Sequence, residues 1–466
     1  MKKICTALFI LLSVSLNPVN SAPLPRMLDQ FPGQKTFFTP LDIDADSSHS
    51  YDALHLAVEL VPDLEGMSFT AEVTMTARIM EDDLETLPMD HLMLTIDSVW
   101  VDGENADFSA NASSLTITLP EAAAEGDTLS VRVAYHGRIR ADNSFGGMMY
   151  NEGSDVLFTF GEPYRTRAWI VCYDKPFDKV TSEIAVTMDN SYHVVSNGSL
   201  SEVEDVGDDL SRTVWSNDYP ISTYLISVCA HPYLVIDLGG AGRNDTPVNL
   251  WVYPQDSAAA MSSMGRTPDM IEYFEDRFGP FPFDKYDAAE ASIAANMEHQ
   301  TATTMTEGVI RSGPVNEWVV AHELAHQWWG DMVGPLTFKE IWLNEGLASY
   351  SHMLWFGHED EELFRRGMDQ IALAYFQEDR SRRYPIWDPP VRYLFGTAVY
   401  YKGAWVLHML RRKIGDELFF ETLRTYLDNP ALRYGNVESD DFIAVCNSVT
   451  GEDLDSWFHQ WLYRIT

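Results

Sequence analysis

The sequence predicts an α+β protein of more than one domain, a β-rich first part followed by a mainly α-helical second part. Three observations point there. Apolar residues alternate with period two from about 50 to 245, the signature of half-buried strands. Past the run Gly239-Gly240-Ala241-Gly242, read as a hinge region, the pattern changes to long helical stretches. The length, 466 residues, is enough for two or three sizeable cores.

In chain order, the first 23 residues read MKKICTALFILLSVSLNPVNSAP. Lys2 and Lys3 precede an apolar run from Ile4 to Leu16, and Val19-Asn20-Ser21 offers a cleavage site before Ala22. That order reads as a secretory signal peptide over 1–21, because the apolar run is too short to span a bilayer. Export to a periplasmic or extracellular space is therefore expected. Residues 22–246 are expected to form the β-rich domain and 247–466 the catalytic one.

The first domain opens on a Pro-containing leader. Leu54, Leu56, Val58 and Leu60 then share one strand face, as do Val73, Met75, Ala77 and Ile79. Leu115, Ile117 and Leu119 repeat the pattern, and so do Leu129, Val131, Val133 and Tyr135. Further strands are expected at 184–188 and 223–228. In the second domain helices are expected at 257–278, 316–331, 343–356, 396–414 and 418–427, with strands near 249–253 and 287–293.

Composition excludes several classes. A hydrophobic share of 45% and 12% aromatics rule out disorder, and nothing after the leader approaches the length of a membrane span. A formal charge of −38 disfavours nucleic acid and anionic lipid as partners, and is read as a solvating acidic coat. Cys172, Cys229 and Cys446 lack Cys-x-x-Cys spacing and are read as core residues.

The chemistry concentrates in VAHELAHQWWGD, residues 320–331. His322 and His326 stand four apart, so on a helix both imidazoles leave one face and close on one ion. Glu323, one residue round, is placed to touch a water on that ion. Catalytic zinc takes three protein ligands and keeps an open position. Glu345 supplies the third after 18 intervening residues, within WLNEGLASY. One Zn2+ per chain is the expected cofactor.

HELAHQWWGD followed by WLNEGLASY resembles the gluzincin aminopeptidases, the family of aminopeptidase N and leukotriene hydrolase. The resemblance runs on through TFGEPYRTRAWIVCYDKP (159–176) and YYKGAWVLHML (400–410). It implies a saddle-shaped N-terminal β domain packed on a thermolysin-like catalytic domain, and peptides with a free N-terminus as substrates. The family's Gly-x-Met-Glu-Asn stretch corresponds to Ala295-Asn296-Met297-Glu298-His299, with Ala for Gly and His for Asn. Glu298 is implied to pair with the substrate ammonium, while Ala295 and Met297 line the substrate. TFGEP resembles the family's Thr-Gln-x-Glu, which makes Glu162 a second amine-binding acid and puts Phe160 where Gln is usual. Tyr400, in Tyr-Tyr-Lys-Gly, is implied to donate to the oxyanion, with Glu323 as general base.

Other histidines, including His352, His358 and His408, lack ligand spacing and are read as packing or surface residues. Relatives commonly continue beyond FHQWLYRIT into a further domain. A more open cleft, or one closed by a partner subunit, is expected here, although nothing in the sequence indicates an oligomer. Epoxide hydrolysis and a catalytically idle scaffold are the alternative readings; intact Glu323 and Tyr400 argue against the scaffold.

Overall fold

A computed structural model describes residues 49–141 and 146–464. The signal peptide read at 1–21 and the leader to residue 48 lie outside the described residues. A sheet-rich first part and a helical second part follow in the expected order.

The first part is built on an eight-stranded mixed sheet. Its centre is the strand Tyr51–Asp63, antiparallel to Ser68–Ile79 on one side and parallel to Val180–Asp189 on the other. Val73, Met75, Ala77 and Ile79 all face the core, as their alternation requires. One residue departs from its expected place. A bulge between Ala53 and His55 shifts the register, so Ala53 rather than Leu54 joins Leu56, Val58 and Leu60 inside. Leu115, Ile117 and Leu119 lie buried in a separate three-stranded sheet.

A four-stranded sheet carries Val156–Phe160 next to Val228–His231. The strand expected at 223–228 is instead a 3-10 turn, Thr223–Leu225, leading into that second strand. Cys172, Cys229 and Cys446 are buried free thiols, as read from their spacing.

A second four-stranded sheet joins the two parts of the chain. The hairpin Leu234–Ala241 and Thr246–Val252 continues into the parallel strands Tyr286–Ala291 and Ala302–Thr306. The glycine run read as a hinge is the bulged end of this hairpin, not a free linker. The short strand Ala302–Thr306 lies too close after its neighbour to show a period of its own.

The helices are α1 (Ser257–Met264), α2 (Thr267–Phe278), α3 (Glu307–Arg311), α4 (Glu317–Ala325) and α5 (Ile341–Phe356), then α6 (Glu361–Asp379), α7 (Gly403–Ile414), α8 (Asp416–Asp428), α9 (Ser439–Thr450) and α10 (Asp455–Leu462). The single helix expected over 257–278 is two, because Gly265 ends α1 and Pro268 suits the first turn of a new helix. The helix expected over 316–331 ends at Ala325. A π-helical turn, Ala398–Lys402, precedes α7. Among the described residues no helix is long and apolar enough to cross a membrane.

Candidate active site

α4 and α5 carry the candidate metal ligands His322, His326 and Glu345, and bulky aromatics hold the two helices in place. Trp328, just past α4, donates its indole N–H towards the carbonyls of Gly279 and Pro280, and Trp329 donates to Ser351 Oγ on α5. Trp342 at the head of α5 donates to Ser439 Oγ. All three indoles are fully buried. They use the dual character of Trp, a large apolar body with one donor that must be satisfied.

His322 Nε2 and His326 Nε2 lie 3.2 Å apart. Glu345 Oε2 lies 3.3 Å from the first and 3.5 Å from the second. Zinc bonds of about 2.0–2.2 Å in tetrahedral array require ligand edges of about 3.3–3.6 Å, so the triangle has the right size for one ion. Glu345 Oε2 is buried and accepts no hydrogen bond, the state of an oxygen that awaits a cation. His326 lies just past the end of α4 yet keeps helical φ/ψ, so the four-residue spacing still aligns both rings.

Outer partners orient these ligands. His326 Nδ1 lies 2.7 Å from Asn344 Oδ1 and 3.0 Å from the Trp329 carbonyl. Gly330 has a φ of 118°, and a side chain there would strike Asn344 Oδ1, so the glycine both makes the turn and leaves room for that amide. His322 Nδ1 lies 3.2 Å from Nδ1 of His352. His352, read as a packing residue, therefore touches a candidate metal ligand. It follows Glu345 by seven residues, two helical turns on the same face of α5, which is the signal that would have found it.

Glu323 projects from α4 beside these residues, and its carboxylate lies in one group with the His326 ring and the Glu298 carboxylate. Glu298 Oε1 accepts from Asn344 Nδ2 at 3.2 Å, while Gln327 Nε2 donates to the Glu298 carbonyl at 3.2 Å and to Asp331 Oδ2 at 2.7 Å. Glu162 comes from the first part of the chain, just after the strand Val156–Phe160, and groups with Glu298 and Glu345. Its Oε1 is buried without a partner. Met297 pairs its backbone with Thr304 and buries its side chain, whereas Ala295 sits half-exposed in a bend rather than in an extended strand.

Tyr400 stands in the π-helical turn and donates to Glu345 Oε1 at 2.9 Å. Such turns place single side chains where a regular helix would not. Gly346 and Gly403 make the approach possible: a Cβ on either would lie within 2.9 Å of the other's Cα.

The electrostatics call for positive charge. Burial, reinforced by neighbouring carboxylates, pushes Glu162 and Glu323 well above the usual carboxylate range, and burial also raises Glu298. Burial works against ionisation of Glu345 too, but the neighbouring His322 and His326 rings outweigh it and hold its pKa down. His326 is disfavoured as a cation by burial, yet Glu298, Glu345 and Glu323 pull its pKa well up. A bound dication would replace that proton and satisfy the same carboxylates.

Fold and site together define a candidate metal centre with a pocket lined by buried carboxylates beside it. The family comparison is more specific. Residues 47–225 match the peptidase M1 N-terminal domain and residues 262–461 the peptidase family M1 domain. The chain belongs to the M1 peptidase family of zinc metallopeptidases, and zinc is the metal its donor set suits. It is 28% identical over 338 residues to human glutamyl aminopeptidase, which covers 66% of this chain and 34% of that protein. It is 22% identical over 448 residues to an alanine/arginine aminopeptidase of Saccharomyces cerevisiae, covering 88% of this chain and 51% of that one. The chain thus spans about a third to a half of the curated relatives it matches. A crystal structure of a mutant M1 zinc metallopeptidase from Deinococcus radiodurans superposes with a TM-score of 0.80 at 23% identity, covering 90% of this chain and 95% of that one. A mutant of that enzyme bound to a Tyr-Ser-Ala substrate gives 0.78 at the same identity and coverage.

Proposed function

We propose that the protein is an exported zinc aminopeptidase that removes the N-terminal residue of peptides. The observation that carries this reading is the pair of buried carboxylates, Glu162 and Glu298, gathered beside the His322–His326–Glu345 triangle. Zinc held there supplies a Lewis acid and a water of lowered pKa. Glu323 takes the proton of the attacking water and returns it to the leaving amine, and its raised pKa suits both halves of that task. The Tyr400 hydroxyl donates to the oxygen on which negative charge develops. Glu298 and Glu162 pair with the substrate ammonium, so the pocket measures one residue from the chain end. Export rests on the N-terminal sequence alone.

Aminoacyl chromogenic substrates test this reading, assayed before and after chelation and again with zinc restored. Activity that disappears with chelator and returns with zinc is expected. Activity indifferent to the chelator would contradict it. In the same panel a Glu substrate is expected to be turned over more slowly than Ala, Leu or Arg. The pocket is lined by carboxylates, and His326 is the strongest positive influence on Glu162, Glu298 and Glu323.

A further inference from the structure

The two imidazole ligands are held by different chemistry. His326 Nδ1 faces two oxygens, the Asn344 amide and the Trp329 carbonyl. His322 Nδ1 faces the ring nitrogen of another histidine at 3.2 Å. His352 is itself buried, lies tilted between Trp318 and His322, and sits on α5 two turns beyond Glu345.

The metal role assigned to His322 decides the protons. Its Nε2 belongs to the ligand triangle, so the lone pair must be there and the ring proton on Nδ1. His352 Nδ1 lies within hydrogen-bond distance of that N–H and can accept it only with the His352 proton on Nε2. The opposite arrangement, both Nδ1 atoms protonated, sets two donors against each other at 3.2 Å in a buried site. The Ala348 carbonyl, one turn earlier on α5, also accepts from His322 through the lone pair its helix bond leaves free, so the two acceptors share that proton.

We propose that His352 is a positioning residue for the metal: it accepts the Nδ1 proton of His322, fixing that ligand's tautomer and ring plane. A ligating histidine ordinarily hands its second N–H to a carboxylate or carbonyl. A neutral ring here orients the ligand without adding a charge to a pocket that already gathers Glu162, Glu298, Glu323 and Glu345. Sequence spacing ties the device together, because one helix carries both the ligand Glu345 and the group that orients the ligand His322.

The inference rests on the metal reading of the triangle, and zinc affinity separates the two. Competition with a chromophoric zinc chelator is measured for the parent, His352→Phe and His352→Gln. His352→Phe keeps ring volume and loses the acceptor, and its dissociation constant is expected to rise about 10- to 100-fold. His352→Gln restores an acceptor and is expected to recover most of that loss, which a mere packing role would not produce. A His352→Phe affinity equal to that of the parent, or a Gln variant as weak as Phe, overturns the proposal. A parent that binds no zinc overturns the site itself. Should the Phe variant fail to fold, imidazole 15N shifts of the zinc-loaded parent decide. A proton on Nδ1 of His322 and Nε2 of His352 is expected, and a proton on His352 Nδ1 contradicts the proposal.

Discussion

The Tyr400 hydroxyl donates to Glu345 Oε1 in this structure, within reach of the ligand triangle. Losing it removes a donor and little volume, so Tyr400→Phe should lower kcat about 10²- to 10³-fold with zinc content unchanged. Tyr401→Phe, its buried neighbour, should stay near the parent rate, and steady-state assays beside metal analysis check both. A different consequence attaches to His299. Its ring is fully buried, Nδ1 lies 2.9 Å from Thr304 Oγ1, Nε2 has no partner, and burial lowers its pKa to about 3. The folded state therefore binds fewer protons than the unfolded state at mildly acidic pH. The stability this neutral ring permits is present above its unfolded pKa near 6.5 and drains away as pH falls towards 3. Between pH 7 and pH 5 the loss is about 2 kcal/mol. His299→Asn should abolish that part of the slope, read from urea unfolding at the two pH values. An identical slope in both proteins would contradict the account. At this scale the grouping of His322, His326, Glu323 and Glu345 was legible because helical spacing is a local property. Asn344, Gln327 and His352 were not, since their importance depends on which helix lies opposite.

Between elements, the contact that matters most is the crossing of α5 with the π-helical turn and the start of α7. Gly346 and Gly403 meet backbone to backbone there, bringing the Tyr400 hydroxyl to Glu345. Gly403→Ala places a methyl 2.8 Å from the Gly346 Cα, a contact that only a backbone shift relieves. It should cost about 1–3 kcal/mol of stability, the range of overpacking, and reduce kcat by moving Tyr400. Urea unfolding and steady-state kinetics measure the two effects, and an unchanged kcat would show that the crossing does not set the tyrosine. Element type was readable wherever period two or 3.6 was sustained, as in Ser68–Ile79 and α7. Interruptions were hidden. The bulge at Ala53–His55 and the π-helical turn arise from register or packing rather than from the local pattern, whereas the break at Gly265 is local but masked by apolar periodicity on both sides. α6 also escaped, its exposed Leu373 and Phe376 blurring the apolar stripe.

Over the whole molecule, the site depends on both parts of the chain. Glu162 is delivered from the first part against ligands on α4 and α5, and Lys179, also from the first part, donates to the Asp331 and Met332 carbonyls just beyond α4. Asn197 likewise donates to the Gln300 carbonyl, two residues from Glu298. The sheet-rich part is thus a wall of the pocket, and the carboxylate it contributes lies beside Glu298 and Glu345, as the proposed amine-binding role requires. The central claim is that two carboxylates read a free ammonium beside the metal. A peptide and its N-acetylated counterpart, compared at equal concentration with the zinc-loaded protein, test it most directly. The account predicts release of the first residue from the free peptide and no cleavage of the acetylated one. Equal cleavage of both would contradict it.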